Sequence, residues 1–197
     1  MTSLALFDFD GTITRHDSLP DFLYYALGPY KFFIGIIALT PFLIAYLLRA
    51  LPNYKTKQIV LSYFFKGWDE QYFQKIAQNF SLTKIDPIVK EIARQKIQWH
   101  QERGHKVIII TASIENYLKD WCSMRKIELI GTCLEFKEGK YTGKFETPNC
   151  YGLEKVRRLR QIYDLKAFEH IYAYGDSPSD YALKDIADEF YFKTFER

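Results

Sequence analysis

The sequence predicts an α/β fold, a Rossmann-like parallel sheet with an inserted helical cap after the first strand. Three observations carry that expectation. Short apolar runs at residues 4–7, 106–111 and 170–175 each lead into acidic or hydroxyl residues. Amphipathic helical patterns separate the second run from the third. Between the first run and the second, residues 18 to about 80 contain no convincing strand.

In chain order, Leu4-Ala5-Leu6-Phe7 is expected to form a buried strand opening into Asp8-Phe9-Asp10-Gly11-Thr12. Breakers at Gly28-Pro29, Pro52-Asn53 and Gly67 divide the following region into roughly four helices. Asp86-Pro87 opens a further helix, with Ile88, Val89, Ile92, Ala93 and Ile97 on its apolar face and Gly104 as its stop. The β-branched run at 106–111 is the second strand. Ser113 is positioned to cap a helix that buries Ile114, Tyr117, Leu118 and Trp121. Residues 132–145 form an added hairpin turning at Glu138-Gly139. A helix from Gly152 to about Tyr163 turns Leu153, Val156, Leu159 and Ile162 inward, and strands follow at 170–175 and 189–192. Residues 1–16 and 81–197 then make the α/β core and 17–80 the cap.

A chain of 197 residues holds one domain with an inserted subdomain. The net charge of +3, evenly spread, gives no basic footprint for nucleic acid. Cys122, Cys133 and Cys150 are odd in number and lack CxxC spacing, which fits reduced packing residues in a cytoplasmic protein. The N-terminus has no basic region, and Asp8 and Asp10 interrupt its first apolar run, so no signal peptide is expected.

Open parallel sheets bind ligands beyond the carboxyl ends of their strands. Asp8 and Asp10, Thr111 and Ser113, and Asp176 and Asp180 fall at those ends. Four carboxylates in one crevice repel each other unless a cation neutralises them. Magnesium prefers oxygen ligands and binds phosphates through one or two carboxylates. Such a site suits phosphoryl transfer: one carboxylate attacks phosphorus, and another protonates the departing alkoxide and then deprotonates water. Lys155, near a helix N-terminus, supplies a cation, while Thr111 and adjacent backbone amides such as that of Ala112 supply donors.

Asp8-Phe9-Asp10-Gly11-Thr12, Thr111, Lys155 and Gly175-Asp176-Ser177-Pro178-Ser179-Asp180 resemble, in order and context, the four motifs of the haloacid dehalogenase superfamily. The resemblance implies Asp8 as nucleophile, Asp10 as general acid/base, and Thr111 and Lys155 as phosphate ligands. It implies Mg²⁺ held by the Asp8 side chain, the Asp10 carbonyl and Asp176. Asp180 would orient Lys155 or a metal-bound water rather than ligate the ion. Dehalogenases of the superfamily lack a carboxylate two residues after the nucleophile, and its transport ATPases carry Thr there. Asp10 thus implies a phosphatase, with a mutase as the alternative. The helical cap and Asn149-Cys150-Tyr151-Gly152-Leu153-Glu154-Lys155-Val156 resemble subfamily IB, the phosphoserine phosphatase-like branch. Within it, the apolar cap segment and Glu154-Lys155-Val156 resemble phosphatidylglycerophosphatases of the C type. Ser179 departs from the Asn usual in phosphoserine phosphatases.

Other residues carry competing readings. Asp17 reaches substrate from the strand–cap flap or belongs to the capping region, where Ser18 and Asp21 look like a capping pair. His16 has the same two options. Arg157-Arg158-Arg160 is a solvated helix face or an anion contact. Ser113 is a helix cap rather than a nucleophile, since no His–acid pair accompanies it.

Residues 32–48 contain no charge and would reach about 26 Å as one helix, the short limit for a bilayer. A single crossing would place Asp8 on one side and Thr111, Lys155 and Asp176 on the other, and two crossings would need about 40 apolar residues. The segment is therefore buried in the cap, buried in a homodimer, or inserted in one leaflet. Lys31, Arg49, Lys55 and Lys57 and the tyrosines Tyr30, Tyr46 and Tyr54 suit an anionic interface at the inner face of the cytoplasmic membrane. Three functions stay open: a phosphatase acting on a lipid headgroup at the membrane through residues 30–51, a soluble phosphatase of a small phosphorylated molecule such as phosphoserine or histidinol phosphate, and a non-catalytic membrane-associated scaffold.

Overall fold

In the computed structural model, which describes residues 2–196, β1 (Thr2–Phe7) leads through the Asp8–Asp10 loop into α1 (Ser18–Leu47). Then come α2 (Asn53–Phe65), α3 (Glu70–Lys84), α4 (Glu91–Glu102), β2 (Lys106–Ile114), α5 (Lys119–Met124) and β3 (Glu128–Thr132). The chain closes with β4 (Leu134–Lys137), β5 (Lys140–Phe145), α6 (Leu153–Ile162), β6 (Phe168–Gly175), α7 (Tyr181–Lys184) and β7 (Glu189–Phe192). Five strands form one parallel sheet in the order β3-β2-β1-β6-β7, the α/β architecture the sequence predicts. β4 and β5 pair separately as an antiparallel hairpin. Its turn is at Glu138 (φ 50°) and Gly139 (φ 71°), both left-handed as a two-residue hairpin turn requires.

Register aligns the strand ends. β1 is central, with Leu4, Ala5, Leu6 and Phe7 fully buried between two helical layers. Phe7 pairs with Ile109 of β2 and with Tyr174 of β6, so residues 8, 110 and 175 lie at one level and Thr111 and Asp176 follow directly. The Asp8 amide continues the ladder by donating to the Tyr174 carbonyl (2.9 Å).

The inserted helices α1–α3 cluster on an aromatic core of Phe22, Phe65, Phe73 and Phe80. Phe22 also meets Tyr117 from the sheet side at 4.9 Å, which ties the insertion to the strand ends. The three breakers behave as expected. Gly28 takes φ 72° and splits α1 into two helical segments, Pro52 precedes α2, and Gly67 (φ 83°) separates α2 from α3. α1 continues through Pro41, with the Thr40 hydroxyl donating to the Ile36 carbonyl. A Cβ at Gly35 would collide with the Phe64 ring, so this glycine lets α1 lie close on α2.

Several expectations need correction. Residues 86–88 make only a single 3₁₀ turn; the chain then extends at Val89, which bridges Thr14, and α4 starts at Glu91. Ile92 is consequently exposed while Val89, Ala93 and Ile97 are buried. Ser113 lies inside β2, which runs to Ile114, and caps no helix. On α6 the buried residues are Lys155, Val156 and Leu159; Leu153, about 200° round the helix from Lys155, is exposed, as is Ile162 in the last turn. Asp17, not Ser18, caps α1, accepting from the Leu19 amide. β3 has no counterpart among the sequence-predicted strands.

Candidate active site

β1 delivers Asp8 to the carboxyl edge of the sheet with only 7% of its surface exposed. α6 brings Lys155 beneath it, 1% exposed, with Nζ 2.5 Å from Asp8 Oδ1 and 2.6 Å from Asp180 Oδ1. One buried ammonium thus bridges two buried carboxylates. Burial opposes the charge on Lys155, but Asp8 and Asp180 together raise its pKa, so it stays protonated. Burial pushes the Asp8 carboxyl up to about 7, against the downward pull of Lys155.

Asp180 is fully buried and both its oxygens are engaged. Oδ1 meets Lys155, and Oδ2 accepts from the amides of Asp176 (3.2 Å) and Ser177 (3.0 Å) and from the Ser177 hydroxyl. Gly175 permits this, since a Cβ there would run into the Asp180 carboxylate. Asp176 Oδ1 accepts from Thr12 Oγ1 (2.9 Å), and the Asp176 carboxylate occupies the space a Cβ on Gly11 would need. Gly11 has φ 79°, a second reason for glycine at that position.

Asp10 is held from two directions. The Ser18 amide donates to Oδ1 (2.8 Å) and the Ser113 hydroxyl to Oδ2. Burial raises its pKa, as does nearby Asp17, while the two serine contacts lower it. Thr111 lies two residues before Ser113 on β2, buried, with Oγ1 accepting from the Ser113 amide (3.1 Å). Ala112 offers its carbonyl to Lys57 Nζ (3.0 Å) and to the Thr132 hydroxyl (2.9 Å). Asp17 stands exposed at the rim, and His16 pairs with Asp21 (2.7 Å). Arg157 pairs with Glu154 on the outer face of α6.

Asp8, Asp10, Thr111, Lys155, Asp176 and Asp180 therefore meet at one strand-end crevice. Ser113, expected at this strand end as a helix cap, is instead a partner of Asp10 because the strand outlasts its apolar run. Two further participants carry no site signal in the sequence. Lys57 of α2 reaches over the crevice, its pKa lowered by burial and raised in part by Asp10, Asp17 and Asp8; as one of several lysines near the apolar segment it carries no sequence signal of its own. Lys90 donates to the Gly11 carbonyl on the far side, and burial lowers its pKa while Asp176 raises it.

Carboxylate oxygens of Asp8, Asp176 and Asp180 approach within 4.8 Å of one another. This donor set is all oxygen, as Mg²⁺ prefers. Asp180 is the poor ligand of the three, because Lys155 and two amides already satisfy it. Asp8 Oδ2, touched only by Thr12 at 3.5 Å, and Asp176 Oδ2 remain to face an ion. The residues fit Mg²⁺.

Residues 5–184 match the haloacid dehalogenase-like hydrolase family. Protein CicA of Caulobacter vibrioides is 32% identical over 196 residues, spanning 98% of this chain and 86% of its own length. A histidinol-phosphatase of Neisseria meningitidis is 26% identical over 129 residues, 62% of this chain and 58% of its own. Among solved structures, a Bordetella pertussis protein of unknown function superposes with a TM-score of 0.81 at 21% identity, covering 96% of this chain and 89% of that one. A substrate-bound phosphoserine phosphatase superposes at 0.68 and 17% identity, covering 98% and 86%. The chain belongs to the haloacid dehalogenase-like hydrolases and is built on the fold of their phosphoserine phosphatases.

Proposed function

We propose that this enzyme hydrolyses phosphomonoesters of small molecules with Mg²⁺, through a phosphoryl group carried transiently on Asp8. The observation that carries the proposal is the buried ammonium of Lys155 held at 2.5 Å from Asp8 and 2.6 Å from Asp180, beside an Asp10 fixed by two serines. Lys155 favours the anionic form of Asp8 against the effect of burial, and the carboxylate attacks phosphorus. Burial raises the pKa of Asp10, which suits a group that is protonated when it meets the departing alkoxide. As the bond from phosphorus to the leaving oxygen breaks, that oxygen takes the Asp10 proton. In the second half, Asp10 takes a proton from water as the water oxygen bonds to phosphorus, and Asp8 departs as a carboxylate. Thr111, the backbone at Ala112, and Lys57 from above supply donors to the phosphoryl oxygens, and Asp17 at the rim contacts the leaving group. Asp8, Asp176 and the Asp10 carbonyl would hold Mg²⁺, which would supply positive charge to offset the carboxylates and the phosphoryl oxygens.

The small-molecule substrate class is supported by the histidinol-phosphatase relative and by the phosphoserine phosphatase fold. Residues 17–80 act as the cap that closes over the core, with Lys57 as its contribution to the site. One feature favours a second reading, a phosphate ester with a long apolar leaving group such as a phosphatidylglycerophosphate. A groove of about 590 Å³ along Leu39, Phe42 and Ile59 adjoins another of about 630 Å³ ending at Asn149, and the two share Tyr54 and Gln58. Asn149 accepts from Thr132, whose hydroxyl meets the same Ala112 carbonyl as Lys57, so the path ends beside the site.

Phosphate release from phosphoserine, histidinol phosphate, phosphatidate and phosphatidylglycerophosphate tests both readings. The proposal expects Mg²⁺-dependent release from a small ester, abolished by a chelator. Exclusive turnover of the two lipids would install the second reading, and full turnover in chelator would overturn both.

A further inference from the structure

The second segment of α1, beyond the break at Gly28, is covered on one side only. Gly35 lies on the Phe64 ring, and Leu39 is 2% exposed. At 100° per residue these side chains define one face of the helix. The opposite face carries Tyr30, Phe33, Ile34, Ile37, Ile44 and Leu48, all within a stripe about 100° wide. Every one is exposed, Ile37 by 73% and Tyr30 by 78%. A contiguous apolar strip of this kind is rare on a protein that meets only water.

The charge around the strip is one-sided. Between Asp21 and Asp69 the chain has no acidic residue. The same stretch has five basic ones, Lys31, Arg49, Lys55, Lys57 and Lys66. Lys57 turns into the catalytic crevice, and the other four are exposed. Lys31 and Arg49 bracket the strip, and Tyr30, Tyr46 and Tyr54 stand at its ends, where rings with an apolar body and a polar tip suit a lipid–water boundary.

We propose that the outer face of α1, with the start of α2, docks on an anionic lipid bilayer and seats its apolar strip in one leaflet. Charge complementarity selects this occupant over a second copy of the chain. In a two-fold interface the same patch meets itself, which would set the basic groups Lys31, Arg49 and Lys55 of one copy against those of the other with no carboxylate in the segment to pair them. Anionic headgroups supply the missing negative charge, and acyl chains cover the strip. The seating is shallow rather than spanning, because the inner face of α1 is already committed to Phe64 and the elements on both sides of α1 meet at Asp8. On α2, Tyr54 and Lys55 face outward while Lys57, two residues on and about 200° round the helix, enters the site, so α2 stands between the lipid surface and the crevice. Docking does not depend on which phosphate ester is cleaved.

The test is sedimentation of the full chain with phosphatidylcholine vesicles, with and without phosphatidylglycerol, at low and high salt. Binding is expected only with the anionic lipid and should weaken as salt rises. Replacing Phe33, Ile37 and Ile44 together with serine should lower the partition coefficient by roughly tenfold or more. Lys31→Gln with Arg49→Gln and Lys55→Gln should lower it similarly and remove the salt dependence. Both variants should hydrolyse a soluble aryl phosphate within about twofold of wild type, because these side chains sit on the surface away from the crevice. Should the triple-serine variant misfold, Ile37→Ser and the glutamine variant carry the same comparison. Wild-type protein left in the supernatant, or variants that bind as well as wild type, would overturn the proposal. So would a dimer in light scattering that the serine substitutions dissociate while vesicle binding is nil. If vesicle binding holds but no ester is hydrolysed, the catalytic reading fails and the docking stands.

Discussion

Replacing Lys155 with methionine keeps most of the side-chain volume on α6 and deletes the one charge that links Asp8 to Asp180. Both carboxylates are buried, and the lost ammonium sits 2.5 and 2.6 Å from them. Leaving a buried charge without its partner costs about 3–5 kcal/mol. The protein can escape part of that cost by protonating Asp8, whose pKa burial already lifts to about 7 with the lysine in place and would lift further without it. A carboxyl with a folded pKa above its unfolded value binds a proton on folding, so its contribution is most favourable at low pH and is lost as pH rises through the folded pKa. The deficit of the variant should therefore be near about 3–5 kcal/mol at pH 8 and smaller by about 1–2 kcal/mol at pH 5. Urea unfolding in the presence of a chelator measures it, as a shift in midpoint at constant slope. Adding Asp8→Asn to the variant should restore stability rather than subtract more, because it removes one of the two facing charges. A deficit under about 1 kcal/mol, the range of an exposed pair, would refute the reasoning. So would equal deficits at pH 5 and pH 8, or additivity of the two substitutions.

Asp10→Asn should slow an alkyl phosphate far more than an aryl phosphate, whose leaving group needs no proton; equal losses would remove Asp10 from the acid role. Lys57→Met should lower kcat/KM by roughly tenfold to a hundredfold, the worth of a hydrogen bond to a charged group, while leaving the unfolding midpoint little changed. A variant with unaltered kinetics would mean that Lys57 serves only the Ala112 carbonyl. His100, fully buried between His105 and the Tyr174 hydroxyl (2.9 Å each), has its pKa pushed down to about 3, chiefly by burial. It folds neutral, so its contribution is complete above about pH 6.5 and is lost as pH falls toward 3, on the order of 4 kcal/mol in all. His100→Gln should flatten the acid limb of a stability–pH curve, and parallel curves for the two proteins would contradict this.

The parts of the site visible in the sequence are those fixed by local chain geometry. Asp8 and Asp176 each follow an apolar run whose end is the end of a strand, Thr111 follows one that stops before its strand does, and parallel register brings the three together. Gly28, Pro52 and Gly67 punctuated the inserted helices through backbone constraint alone. What escaped depended on contacts across the fold. β3 offers only Glu128-Leu129-Ile130-Gly131-Thr132, too short for a pattern, and is a strand because β2 pairs with it. Ser113 has the position of a cap before an apolar pattern, but Asp10, in the loop after β1, fixes its role. On α6 the apolar spacing predicts Leu153 and Ile162 inward, but Lys155, expected in the site, shares the buried face with Val156 and Leu159, because two carboxylates make its burial tolerable. The Asp86-Pro87 start signal and the apolar spacing predict helix from residue 86, while Asp86 is drawn to Arg125, Arg94 and Trp121 and Val89 extends to meet Thr14.

The central claim is that phosphorus bonds to Asp8 during turnover. Acid-quenching the enzyme with a labelled phosphate ester during turnover, followed by digestion and peptide mapping, examines that bond directly. The label should reside on the peptide containing Asp8, be released by hydroxylamine as an acyl phosphate is, accumulate in Asp10→Asn and be absent from Asp8→Asn. Label on any other residue, or an Asp8→Asn enzyme that turns over at the wild-type rate, would contradict the account.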